Sequence, residues 1–107
     1  MIDPRNVTGY TLIRTFRTRA TRDIFEGKAT KAARRSLPEL MWSRARLKLD
    51  EIDSASDLRQ LGLPSNRLEK LAGDRAGEYS VRINRQYRVC FRWANADAWD
   101  VEITDYH

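Results

Sequence analysis

Between Tyr79 and Ile103 the chain alternates apolar and polar residues through three consecutive segments, and no other stretch limits the fold as tightly. Tyr79, Val81 and Ile83 alternate with Ser80, Arg82 and Asn84; Tyr87, Val89, Phe91 and Trp93 with Arg88, Cys90 and Arg92; Trp99, Val101 and Ile103 with Asp100, Glu102 and Thr104. A period of two puts successive side chains on opposite sides of a strand, so each segment has one face for burial and one for water. The connections, Arg85-Gln86 and Asn95-Ala96-Asp97, are too short for a crossover, and the strands are expected to pair as an antiparallel meander. Its polar face gathers Arg82, Arg88 and Arg92 beside Glu102 and Tyr106.

Upstream the period lengthens. Residues Met1 to Tyr10 have no periodic pattern and read as a flexible extension, while Thr11 to Phe16 reads as a short strand with Leu12 and Phe16 on one side and Ile13 on the other. Thr21 to Lys28 reads as a helix capped by Thr18 or Thr21 and stopped by Gly27. Ala29 to Arg35 makes a further helical turn. Ser36-Leu37-Pro38-Glu39 has the form of a capping box, opening a helix in which Leu37, Met41, Ala45, Leu49 and Ile52 make one core stripe with Arg44, Lys48 and Glu51 opposite. A last helical turn near Ser54 to Leu58 closes at Gly62 and Pro64, and a loop, Leu63 to Asn66, leads into the sheet. Two or three helices on one face of a small antiparallel sheet, mixed at the amino-terminal strand, make a single α+β domain.

The chain has 107 residues and a net charge of +5, and that charge is unevenly placed. From Arg14 to Lys48 there are 11 Lys or Arg against 3 Asp or Glu, whereas residues 54 to 107 carry 8 of each sign. A basic helical half is suited to a polyanion such as RNA, or to an acidic protein partner. No apolar run is long enough to span a bilayer and no signal-peptide pattern opens the chain, so the expectation is a cytoplasmic protein with no membrane partner.

One histidine, His107, and one cysteine, Cys90, exclude most catalytic designs. They cannot complete a zinc site, no serine sits in a nucleophile elbow, and there is neither a P-loop nor a dinucleotide glycine fingerprint. No metal or cofactor is expected. What the residues permit is metal-free cleavage of RNA by attack of a 2′-hydroxyl on its neighbouring phosphate. His107 is suited to acid-base work near neutral pH. Arg88 and Arg75 supply forked, permanent charges for phosphate, Tyr106 can stack on a base, and Asp105 can orient its neighbours.

The stretch from Leu68 to Trp93, LEKLAGDRAGEYSVRINRQYRVCFRW, followed by VEITDYH, resembles the HigB group of toxins in the RelE/ParE superfamily. Gly73-Asp74-Arg75, Gly77, Tyr87-Arg88 and the closing Asp105-Tyr106-His107 carry the resemblance, which covers Leu12 to His107. It implies a RelE-like toxin domain over residues 11–107, with 1–10 as an extension outside the family pattern. It further implies a ribosome-dependent endoribonuclease that cuts translated messenger RNA and is silenced by a HigA-like helix-turn-helix antitoxin. On this reading the phosphate-binding arginine is Arg88, and the terminal acid, tyrosine and histidine are Asp105, Tyr106 and His107. Ala72 stands where several members have lysine and Glu69 where some have histidine, so one basic helper is missing, which implies slow cleavage or partial reliance on Lys70. Arg34, Arg35, Arg44, Arg46, Lys48, Arg82 and Arg92 are the residues expected to hold messenger RNA and 16S ribosomal RNA phosphates. Two alternatives stand beside this one: a ParE-like toxin acting on DNA gyrase, and a non-catalytic protein-binding module.

Overall fold

Threonine side chains open the first two helices of the chain, for which a computed structural model describes residues 13–105. Helix α1 (Arg19–Glu26) begins after Thr18, whose hydroxyl accepts from the Thr21 N–H at 3.2 Å, and ends at Gly27 in the left-handed conformation that glycine adopts without penalty. Helix α2 (Lys31–Ser36) begins after Thr30, whose hydroxyl accepts from the Ala33 N–H and donates to the buried Asp23 at 2.7 Å, binding the two helices together.

That second cap corrects the reading of Ser36. A helix already running from Thr30 takes Ser36 into its last turn, where its hydroxyl donates back to the Ala33 carbonyl at 2.9 Å, and a residue with helical backbone cannot serve as an N-cap. Pro38 instead precedes a 3-10 turn, Glu39–Met41, and Glu39 faces outward to accept from Arg34 Nε at 3.0 Å. Helix α3 (Trp42–Ser54) follows and buries Trp42, Ala45, Leu49 and Ile52. Lys48, expected on its solvent side, is only 5% exposed, because its ammonium donates to the buried Asn66 side chain at 2.6 Å. Asn66 in turn donates to Glu51 and to the Leu61 carbonyl, locking the 3-10 turns Leu58–Leu61 and Pro64–Asn66 against α3.

Four antiparallel strands, β1 (Glu69–Lys70), β2 (Glu78–Arg82), β3 (Tyr87–Ala94) and β4 (Asp97–Asp105), lie in sequence order. Val81, Ile83, Val89, Phe91, Val101 and Ile103 are buried on the helix side, as their alternation requires. Burying each such side chain contributes roughly 1.5–3 kcal/mol. The amino-terminal segment adds parallel bridges at Ile13 to Ala98 and Phe16 to Val101, so the sheet is mixed at that edge. Ile13 is the buried residue of the segment and Phe16 the half-buried one; Leu12 and residues 1–11 lie outside the described residues.

The alternation of the third segment is broken once. Cys90 pairs with Glu102 but Arg92 pairs with Trp99, so three steps of β4 match two of β3, a β-bulge with Asp100 at φ 52°. The extra residue exchanges faces: Ala98 is fully buried in the core, and Trp99 joins Arg92 on the other side. The bulge is held by the amino-terminal segment, since the Asp100 N–H donates to the Thr15 hydroxyl at 2.8 Å and the Val101 N–H to the Thr15 carbonyl at 3.0 Å. Among the described residues, no helix is long and apolar enough to cross a membrane.

Candidate functional site

The sheet face turned away from the helices carries the chemistry, and Arg88 is its fixed point. Strand pairing sets Ser80 opposite Cys90 and Arg82 opposite Arg88, which puts the Ser80 hydroxyl diagonally beside the Arg88 guanidinium. Arg88 Nε donates to Ser80 Oγ at 2.7 Å, and Nη2 donates to the Ser80 carbonyl at 3.3 Å and to the Arg67 carbonyl. Arg67 presents that carbonyl because its backbone is left-handed, at φ 43°. The third nitrogen, Nη1, lies 3.9 Å from Glu69 Oε1. Arg88 is thereby 8% exposed and held in one orientation.

Arg75 occupies a second arrangement on the same face. The 3-10 turn Gly73–Arg75, which opens on Gly73 and is followed by Gly77, both at positive φ, brings the Arg75 guanidinium to Glu78 at 2.9 Å and Glu102 at 3.0 Å. Arg17 approaches the same carboxylates at 3.7 and 3.5 Å. Burial works against the charge of Arg75, but the hydrogen bonds that it donates to Glu102 and Glu78, with the charge of Glu78, outweigh it and hold the group above its ordinary value. Cys90 lies beneath, and its thiol is pushed up by burial, an effect the charges of Glu78 and Glu102 reinforce and Thr104 and Arg75 oppose.

The remaining sequence-derived residues separate by register. Arg82 is half-buried opposite Arg88, and Arg92 is exposed opposite Trp99. Lys70 is opposite Tyr79 and Asp105 opposite Tyr87, which places both on the helix side of the sheet, away from the Arg88 face; Asp105 accepts from Gln86 Nε2 at 3.1 Å. Tyr106 and His107 lie outside the described residues. Of the basic helical residues, Arg34, Arg35 and Arg44 are exposed, while Arg46 donates to the Ile24 carbonyl at 3.1 Å. Lys48 is turned inward to Asn66 and is corrected out of the phosphate-binding set, because its charge is satisfied inside the protein.

Sequence reading passed over Ser80, Arg67, Glu78 and Arg17. Ser80 carried a usable signal: a small polar residue two positions from an arginine partner in an antiparallel pair is well placed to receive that arginine diagonally. Arg67 acts through its backbone and Arg17 through a tertiary contact, neither of which a linear pattern encodes.

The fold is one already known in structure. It is similar to the YoeB-YefM complex from Staphylococcus aureus, with a TM-score of 0.56 and 17% identity over 89% of this chain and 97% of that one. Residues 14–107 match the HigB-like toxins, the RelE-like toxins of type II toxin-antitoxin systems, and the chain belongs to that family. It is 28% identical to Endoribonuclease HigB of Proteus vulgaris over 96 residues, 90% of this chain and all of that protein. It is also 44% identical to Toxin HigB-1 of Vibrio cholerae over 50 residues, 47% of this chain and half of that one.

Proposed function

We propose that this toxin is a metal-independent endoribonuclease that cuts translated messenger RNA on the ribosome, acting in the cytoplasm under the control of a HigA-like helix-turn-helix antitoxin. The observation that carries the reading is the Arg88 guanidinium, fixed by Ser80 and Arg67 on the sheet face turned away from the helices, with Arg82 opposite. A guanidinium whose orientation is set in advance loses little freedom on meeting phosphate and stabilises charge as it develops there. His107 and Tyr106 follow directly on Asp105 and are assigned the acid-base and base-stacking roles. Arg75, tied to two glutamates, braces this face as well as adding charge to it. Arg34, Arg35 and Arg44 are assigned to ribosomal phosphates, and residues 11–107 form the toxin domain with 1–10 as an extension. The name of the Proteus vulgaris relative supports the same activity.

The test is induced expression followed by mapping of messenger RNA 5′ ends on ribosomes. New ends confined to translated regions, absent in an Arg88→Ala strain, are the expected result. Growth arrest with unbroken messenger RNA and accumulating DNA breaks would replace this reading with the gyrase one.

A further inference from the structure

Among the described residues, every aromatic side chain but one serves the core. Phe25, Trp42 and Phe91 are buried in it, and Phe16, Tyr79, Tyr87 and Trp93 pack against it. Trp99 does neither, and its ring meets no other aromatic ring among the described residues. It stands half-buried opposite Arg92, on the sheet face turned away from the helices.

The fold works to keep it there. The bulge that sends Ala98 into the core and Trp99 out of it sets Asp100 at φ 52°, a left-handed backbone that disfavours a residue with a Cβ and persists where its surroundings enforce it. Thr15 does the enforcing, through its hydroxyl at 2.8 Å. Bulges re-aim side chains beside binding sites, and this one aims an indole. The indole N–H donates to the Ala94 carbonyl at 3.2 Å, which satisfies its one polar atom and fixes the ring, so what it offers is a flat π face. The carboxylates nearby have cations of their own: Asp97 has Arg14 at 2.9 Å, Glu78 has Arg75 at 2.9 Å, and Asp100 has Arg17 at 3.9 Å. Arg92 is exposed and has no such partner among the described residues.

Resting on the nuclease reading, we infer that Trp99 is a stacking platform for an unpaired base of the messenger RNA, with Arg92 beside it for a phosphate of the same strand. A fixed aromatic face next to an uncommitted cation is the pairing that single-stranded RNA needs, one for the base and one for the backbone. Arg88 and Arg92 lie four residues apart on β3, about 13 Å at the usual rise of a strand. The stacked base therefore belongs to a nucleotide flanking the cleavage point and not to those joined by the scissile phosphate. Every base has a π face, so the platform sets the register of the messenger and not its sequence.

The test measures single-turnover cleavage on programmed ribosomes at limiting toxin for the wild type, Trp99→Ala and Trp99→Phe. The messengers carry one abasic nucleotide at successive positions on either side of the cleavage point. Loss of one stacked base weakens binding about fivefold to 150-fold, so Trp99→Ala should fall in that range on the intact messenger, and Trp99→Phe, which keeps a ring, should recover most of the loss. In the wild type one flanking abasic position should cost a similar factor, and in Trp99→Ala that same position should cost nothing further. This coupling separates contact with a base from a structural role, which would lower cleavage of every messenger alike. Because Trp99 lies outside the core, the melting temperature of Trp99→Ala should stay near that of the wild type. Wild-type cleavage by Trp99→Ala, or equal abasic penalties in the two proteins at every position, would overturn the assignment while leaving the nuclease reading intact. Absence of cleavage by the wild type on the intact messenger would overturn both.

Discussion

The Arg75 guanidinium reaches Glu102 at 3.0 Å, joining the turn before β2 to β4 across the face of β3. Its other arm holds Glu78, which is buried and whose next cation, Arg17, is 3.7 Å away. Removing Arg75 therefore strands a carboxylate in a poorly hydrated place. Arg75→Ala should cost about 3 kcal/mol or more in denaturant unfolding, and adding Glu78→Gln should recover part of that loss, since the stranded charge disappears with it. A cost under about 1 kcal/mol for the single variant would mean the pair is solvated like an ordinary surface bridge.

The turn from β3 to β4 offers a stabilising change. Asn95 and Ala96 both sit at positive φ, 55° and 63°, the backbone of a two-residue hairpin in which the second position favours glycine. Asn tolerates that region and alanine does not, because its Cβ crowds the backbone. Ala96→Gly should raise stability by about 0.5–1 kcal/mol, with the relief of strain exceeding the greater entropy of the unfolded glycine chain. A lower melting temperature would contradict this account of the turn.

The same region marks the boundary of what the sequence makes readable. The meander, its buried face and the helices over it follow from periodicity, which depends on residues near one another in the chain. The bulge does not, because Asp100 is bonded by Thr15, 85 positions away, and the resulting shift moves Trp99 out of the row in which simple alternation sets it. Lys48 is unreadable for a related reason: helical spacing sets it beside Glu51, 3.8 Å away, but the hydrogen bond that turns it inward goes to Asn66, 18 residues on. At the site, the type of residue at Arg88 and Arg75 was legible, but their anchors were not. An arginine held by a carbonyl, as Arg88 is by Arg67, leaves no mark in the side-chain pattern.

Lys48 and the exposed arginines can be told apart by what their replacement affects. Asn66→Ala leaves the buried Lys48 ammonium without its 2.6 Å acceptor and should destabilise by about 3 kcal/mol or more. Lys48→Ala leaves a neutral amide oxygen unpaired and should cost about 1–3 kcal/mol. Neither should alter the salt dependence of ribosome binding. Replacing Arg34, Arg35 and Arg44 together by Gln should flatten that dependence without lowering the melting temperature, because every phosphate no longer neutralised by the protein keeps its counterions on binding. An unchanged salt slope in the triple variant would return that surface to an ordinary solvated helix face.

Cys90 sets a pH limit on stability. Burial holds its thiol above the ordinary value of 9.0, so the folded protein favours the neutral form and the unfolded chain releases the proton first. The thiol's contribution is complete below the unfolded value and is lost as pH rises toward the raised folded one. The stability difference between wild type and Cys90→Ala should therefore shrink above about pH 9, by at most about 1.4 kcal/mol per pH unit. A difference that stays flat across that range would show the thiol titrating alike in both states.

The catalytic assignment is tested by comparing two variants that differ in what they remove from the fold. His107→Gln keeps some hydrogen bonding and abolishes proton transfer, so ribosomal cleavage should fall about a hundredfold to ten-thousandfold with growth inhibition lost alongside it. Arg88→Ala should abolish cleavage as well, but it also takes three hydrogen bonds from Ser80 and Arg67, leaving a buried hydroxyl and carbonyls to find other partners. Its melting temperature should drop, corresponding to about 1–3 kcal/mol. Both proteins should still be captured by the antitoxin on co-expression, which shows that the loss is not one of folding. Lys70→Ala serves as the control, since register sets Lys70 on the opposite side of the sheet from Arg88, and it should cleave within a few-fold of wild type. Full toxicity in both His107→Gln and Arg88→Ala would deprive the nuclease mechanism of its residues, whereas a Lys70→Ala protein as inactive as Arg88→Ala would mean that RNA reaches the helix side of the sheet edge.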